Sequence, residues 1–331
     1  MPDTASTPNS RLTRRSVLQG AAAIALASAL PSRAADGPPV TLVVPFPPGG
    51  ASDIGARLVA PDLARELGRQ VLVENVSGAS GAIGVQKVLR AAPDGRTLLY
   101  GGLSEALLNP MVNPDVPFKV EDLLPLGLTG LTGVGLITRP DFPASNIDGF
   151  IDFARRNPGR INFGSSGPGS YPHVMMEIIK ARTGAFMVHI PYRGGAPVMN
   201  DLMGGQLDAA VIAIPALLGP LKTGRIKVLG IASNQRSALL KDTPTTTESR
   251  SLRELTMEVW SMVYTRAGTP DAVARALNAA IARAASTPDF QRRLARLGAY
   301  LPAALTLEGS RQFVSQQQSL YRQAVQRIRG G

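Results

Sequence analysis

The feature that most constrains this chain is a short grammar that it repeats: a β-branched run, a stop made of proline or glycine, then apolar residues at helical spacing. Val40-Thr41-Leu42-Val43-Val44 is halted by Pro45 and Pro47-Pro48-Gly49-Gly50, and Ser52 to Leu67 then carries apolar residues three and four positions apart. Val71-Leu72-Val73-Glu74 runs into a glycine-rich loop, a helix near Ala82 to Ala92, an Asp94-Gly95 turn and the strand Thr97-Leu98-Leu99-Tyr100. Strands that alternate with helices predict an α/β fold built on a parallel sheet.

The grammar continues through the middle. Asp148 to Asn157 reads as a helix, Ile161-Asn162-Phe163 as a strand, and Pro172 to Arg182 as a helix whose proline sits in the tolerant first turn. Val188-His189-Ile190, Ala209 to Ile214 and Ile226 to Ala232 read as strands, with a helix near Ala196 to Met203. Glu258 to Tyr264 reads as a strand, followed by helices at Pro270 to Ala285, Pro288 to Gly298 and Leu307 to Arg327. A chain of 331 residues exceeds one comfortable core, and the apolar segment Leu126 to Thr138 is long enough to pass between lobes. Two lobes are expected: 38–133 plus 258–331 from the chain ends, and 134–257 from the middle.

Residues 1–34 are set apart from the fold. Arg11, Arg14 and Arg15 precede an apolar run from Val17 to Leu30 that ends at Pro31-Ser32-Arg33-Ala34, the layout of a signal peptide. Thr13-Arg14-Arg15-Ser16-Val17-Leu18-Gln19 has the paired arginines of a twin-arginine signal, so the expected location is the periplasm, with the chain soluble after cleavage. The absence of cysteine excludes disulfides, thiolate catalysis and a lipid-modified cysteine anchor. The net charge of +11 falls to +8 once the four arginines and one aspartate of residues 1–34 are removed, and a basic surface steers anions inward. The charges are scattered and aromatic residues make up only 5%, so nucleic acid is not an expected partner. A monomer is the expected state.

Enzymatic chemistry finds few footholds. His173 and His189 are the only histidines. Gly78-Ala79-Ser80-Gly81-Ala82 fails the last position of a G-x-S-x-G nucleophile elbow, and Gly164-Ser165-Ser166-Gly167 fails too. Gly78, Gly81 and Gly84 are spaced G-x-x-G-x-x-G instead of the G-x-G-x-x-G of a dinucleotide loop, so they read as a tight turn and close helix packing. No His/Asp/Glu cluster has metal-ligand spacing. No enzyme, metal or cofactor is expected.

What remains is a pair of Gly/Ser loops, each after a strand and before a helix: Pro47 to Asp53 and Ser165 to His173. A helix N-terminus leaves backbone N–H groups unpaired and carries partial positive charge, so a carboxylate held there gains several hydrogen bonds without a lysine. Each loop also has a plain reading, in which Ser52 or Asp53 caps the first helix and Ser170 the second. Two such loops facing each other at the carboxyl ends of their strands would grip one small anion.

Six ordered segments add to this reading: Val43-Val44-Pro45-Phe46-Pro47-Pro48-Gly49-Gly50-Ala51-Ser52-Asp53, Val73-Glu74-Asn75, Ala92-Pro93-Asp94-Gly95, Phe163-Gly164-Ser165-Ser166-Gly167, Ile190-Pro191-Tyr192-Arg193-Gly194 and Ala267-Gly268-Thr269-Pro270. Together they resemble the Bug family, the substrate-binding proteins of tripartite tricarboxylate transporters. The resemblance implies a two-lobed periplasmic binding protein fold (type II-like) with two crossovers, a cleft for a small carboxylate, and membrane transporter subunits as partners. It assigns a first contact loop to Phe46, Pro47, Pro48, Gly49, Gly50, Ser52 and Asp53, with Phe46 as an apolar wall. A second falls on Ser165, Ser166, Gly167, Ser170 and His173, and a third on Tyr192, Arg193 and Gly194. Ser104 is expected to join them, whereas His189 and Trp260 read as packing residues.

The chain also departs from the family pattern. Ile212-Ala213 stands where members often carry Asp-Asn, Met262 where glycine is common, and Tyr171-Pro172 where smaller polar residues are usual. These changes imply a less polar cleft, and an aromatic or aliphatic carboxylate in preference to an amino acid or citrate. Two rival uses of the same residues are a ligand sensor that presents its closed state to a membrane receptor, and an exported hydrolase acting through Ser166.

Overall fold

Strand β1 (Val40–Val44) runs between β2 (Val71–Asn75) and β3 (Thr97–Gly102), parallel to both, in a computed structural model that describes residues 37–329 apart from 234 and 254. The expected signal peptide, 1–34, lies outside the described residues. All of β1 but Thr41 is buried, as an inner parallel strand covered on both faces requires, and this is why the strand is apolar apart from Thr41 instead of alternating. The crossovers are α1 (Ala51–Leu67) and α2 (Ala82–Arg90). After β3 the chain makes a fully buried π-helical turn, Leu103–Leu108, that continues into the short helix α3 (Asn109–Val112).

The long strand β4 (Leu123–Thr138) follows and serves two halves of one sheet. From Leu123 to Gly133 it pairs antiparallel with β9 (Glu258–Arg266), and from Val134 to Thr138 with β7 (Ala209–Ala213). Its last residues also pair with β8 (Lys227–Ile231), and Leu131 and Thr132 pair with the two-residue strand β10 (Ala299–Tyr300). Main order across the sheet is β2-β1-β3-β9-β4-β7-β5-β6. The all-parallel expectation is therefore corrected to a mixed sheet: β9 returns from the middle of the chain beside the strand that led into it, and so must run the other way.

In the second half, β5 (Asn162–Ser165) lies between β6 (Val188–Pro191) and β7, parallel to both. Helix α4 (Ile147–Arg156) shows how sequence sets this half. Asn146 caps it by accepting a hydrogen bond from Gly149 N at 2.8 Å, and Ile147, Phe150, Ile151 and Ala154 form its buried stripe. A cap of this kind contributes about 1 kcal/mol, and each buried Ile or Phe about 1.5–3 kcal/mol. The remaining helices are α5 (Tyr171–Thr183), α6 (Gly195–Met203), α7 (Ile214–Lys222), α8 (Asp271–Ser286), α9 (Pro288–Arg296) and α10 (Leu307–Arg329). Among the described residues, no helix is long and apolar enough to cross a membrane.

Candidate functional site

The carboxyl ends of β1, β3, β5 and β7 meet around a cavity of about 100 Å³. Phe46, Gly50 and Ser52 line it from the loop after β1, Ser104 and Glu105 from the turn after β3, Ser166 from the loop after β5, and Ala213 from the end of β7. Leu131 and Thr132 of β4, Trp260 and Ser261 of β9, and Leu294 of α9 complete the wall. Both halves of the sheet contribute, and no lysine or arginine is among the lining residues.

In the first loop, the N-cap of α1 is Gly50, which has no side chain to cap with. The first-turn amides, those of Ala51, Ser52 and Asp53, are the ones that an α-helix leaves without an internal acceptor. Asp53 is a brace outside the cavity wall. Its carboxylate accepts from Gly49 N, Arg57 Nε and Asn75 Nδ2, each at 3.0 Å, while Asn75 Nδ2 also donates to Phe46 O. Burial pushes the Asp53 carboxyl up, but the bonds from Arg57, Gly49 and Asn75 outweigh it and hold it below the ordinary value. Pro47, Pro48 and Gly49 also stay outside the wall.

The second loop spends most of its polar groups on itself. Ser165 Oγ bonds His189 Nε2 at 2.6 Å and accepts from Gly167 N, Ser170 Oγ donates to Gly167 O, and His173 Nδ1 accepts from Gly169 N. Ser170 is the N-cap residue of α5 without a side-chain capping bond: its Oγ is turned to Gly167 O and Pro172 has no N–H to offer, while Tyr171 N donates to Ser104 Oγ at 3.0 Å. Of Ser165, Ser166, Gly167, Ser170 and His173, only Ser166 lines the cavity. In the third loop, Tyr192 Oη donates to Asp201 at 2.7 Å and Arg193 is exposed, and neither residue reaches the wall. Gly167 and Gly194 have φ of +114° and +151°, and a Cβ on them would lie 2.3 Å from Ser80 Oγ and 2.5 Å from Pro47 Cδ respectively. Glycine is what lets these loops touch the first half of the sheet.

Sequence reasoning missed Glu105 and underrated Trp260. Glu105 sits in an apolar run with no period to point its side chain, and the π-helical turn aims it inward. Trp260 is 2% exposed and packs edge-on against Phe313, as a packing residue should, yet it also lines the cavity, and its Nε1 has no hydrogen-bond partner. Of the departures from the family pattern, Tyr171 and Ala213 reach the wall, joined by a 3.1 Å bond from Ala213 N to Tyr171 Oη. Met262 is fully buried and does not reach it.

His189 lies stacked between Phe163 and His173, with ring centroids 5.0 and 4.3 Å away. Burial, then the neighbouring His173 and Lys180, push His189 down to about 4, and burial pushes His173 down as well. The folded protein thus keeps both rings neutral where the unfolded chain takes up protons, below about 6.5. Stability from this pair is full above pH 6.5 and is lost as pH falls toward 4. The urea midpoint is expected to drop over that window in the wild type and to drop less in His189→Gln; parallel pH profiles would rule the pair out as the cause.

The family model described as tripartite tricarboxylate transporter family receptor (TctC) matches residues 55–328. Protein BugT of Bordetella pertussis is 34% identical over 298 residues, which cover 89% of this chain and 89% of BugT. Among solved structures, MatC of Rhodopseudomonas palustris with bound malate is 29% identical with a TM-score of 0.81, covering 87% of this chain and 98% of that one. A second R. palustris protein, determined with adipate, is 27% identical with a TM-score of 0.83, covering 88% and 97%.

Proposed function

Because the chain belongs to the TctC family of tripartite tricarboxylate transporter receptors, we propose that it captures a small aromatic or aliphatic carboxylate in this cavity and hands it to membrane transporter subunits from the periplasm. The observation that carries the reading is the opposition, across one cavity that lacks lysine and arginine, of the α1 N-terminus to Ser166 from the other half of the sheet. Amides and hydroxyls then bind the carboxylate, and Phe46, Leu131 and Leu294 contact its apolar part. Relatives described with malate and adipate fit the same ligand class. Tyr171 Oη and Ala213 N are already committed to each other, which favours a ligand with fewer polar groups than an amino acid or citrate. Segments 38–133 plus 258–331 and 134–257 act as lobes that close on the ligand, which stabilises the closed state. The hydrolase alternative needs a base at Ser166, whereas His189 bonds Ser165.

The test is the shift in unfolding temperature across mono- and dicarboxylates, aromatic acids, citrate, amino acids and neutral sugars. A carboxylate at about 100 times its Kd is expected to add about 2.7 kcal/mol. Shifts with sugars alone would remove the carboxylate reading, and shifts with amino acids or citrate alone would remove the preference.

A further inference from the structure

A receptor for anions has little use for a buried anion of its own, yet Glu105 lines this cavity at 2% exposure. Its Oε1 accepts from Gly102 N at 2.6 Å, and Oε2 has no partner among the described hydrogen bonds. The titratable groups that face it are Tyr100 of β3, Tyr264 of β9 and Tyr171 at the start of α5. No charged side chain among the described residues compensates it. Trp260, which lines this cavity and a neighbouring one, has a buried indole N–H without an acceptor.

We propose that Glu105 takes up a proton when a carboxylate enters and donates it in a hydrogen bond to an oxygen of that carboxylate, with Trp260 Nε1 as the second donor. Capture of one anion is then coupled to uptake of one proton from solvent. The inference rests on the carboxylate reading above. Two carboxylates cannot both stay ionised in a small dry site, so one of them holds a proton. The ligand's acid group is bathed by helix amides that favour its charge, whereas Glu105 has only Gly102 N and its own amide, so the proton goes to Glu105. Burial already lifts Glu105 to about 7 against those two bonds. An ionised Glu105 paired with a ligand cation is the opposite arrangement, and it would leave the first-turn amides of α1 and the Trp260 indole N–H without an acceptor.

Calorimetric titration of the purified protein with adipate, benzoate and L-malate, in two buffers of different ionisation enthalpy, reads the coupling directly. Each acid that binds is expected to show a Kd that rises about tenfold per pH unit above about pH 7, with about one proton taken up per molecule bound. Glu105→Gln, which keeps a donor but cannot titrate, is expected to show neither the slope nor the uptake. In the wild type, an infrared band of a protonated carboxyl should grow when adipate or another binding acid is added, and the variant should lack it. Binding with a flat pH profile and no proton uptake overturns this inference and leaves the receptor reading standing. Failure of all three acids to bind at about pH 6, where Glu105 is protonated, overturns the receptor reading with it, and so the two failures are told apart. Binding of a cationic amine that tightens as pH rises also overturns it.

Discussion

Gly50→Val and Ser166→Val are each expected to weaken carboxylate binding at least about a hundredfold, or about 2.7 kcal/mol, while unfolding stays cooperative and within about 1 kcal/mol of the wild type. Gly50 has φ −79° and ψ 169°, a conformation open to valine, and an added Cβ would have only Pro47 O nearby, at 3.7 Å. The fold therefore accepts the branch, and the branch lands in a cavity of about 100 Å³ in front of the α1 amides. Ser166 is 8% exposed and its hydroxyl is committed to no protein partner among the described hydrogen bonds. Valine there replaces a ligand donor with a methyl and adds a second one. Calorimetry with the best-binding acid, paired with urea unfolding, separates binding from folding. Unchanged affinity in both variants would remove the site assignment.

Gly102→Ala is expected to destabilise the fold by about 3 kcal/mol or more, at the top of the range for overpacking. A Cβ at this position would sit 2.2 Å from Trp260 O, and that oxygen belongs to backbone that cannot step aside without breaking the β3–β9 ladder, in which Gly102 pairs with Ser261. The clash pushes β9, which carries Trp260, away from β3, whose Gly102 N donates to Glu105, so binding falls with stability. Gly219→Ala in α7 is the control. Nothing lies within 4 Å of its added Cβ, and alanine favours helix by about 1 kcal/mol over glycine. A urea midpoint for Gly102→Ala equal to the wild type would refute the steric argument.

Much of the fold was legible because inner parallel strands and amphipathic helices write their periods directly. β1, α4, β9 and α8 fall close to where apolar spacing puts them. Two helical stretches were not. Ile214–Lys222 holds Pro215 and Pro220 in an apolar run and has no element assigned beyond the strand end at Ile214, but Pro215 sits in a first turn where no N–H is needed. Leu103–Leu108 is buried all round, so it has no polar face to reveal a period. The direction of β9 depends on where the chain re-enters the sheet, which no local pattern encodes.

The candidate site was half legible for a related reason. Glycine and proline in Phe46 to Gly50 mark a loop that approaches something closely, and Phe46, Gly50 and Ser52 do line the cavity. Whether a serine turns outward to a ligand or inward to its own loop is decided by partners far away in sequence. Ser104 Oγ meets Tyr171 N, and Ser165 Oγ meets His189, across 67 and 24 residues respectively. Adjacent Ser165 and Ser166 look alike as letters and differ only in those partners.

The shared strand β4 also bears on descent. Residues 134–257 look in sequence like a module inserted between two ends of an older domain, and modules of that kind can be lost or exchanged whole. Here the module has no sheet edge of its own at the join, because β4 runs unbroken from the β9 ladder into those of β7 and β8. Cutting it out would strand half of a ladder on each side. Changes in the loops at the cavity or in the outer helices leave this ladder intact, whereas removal of either half does not.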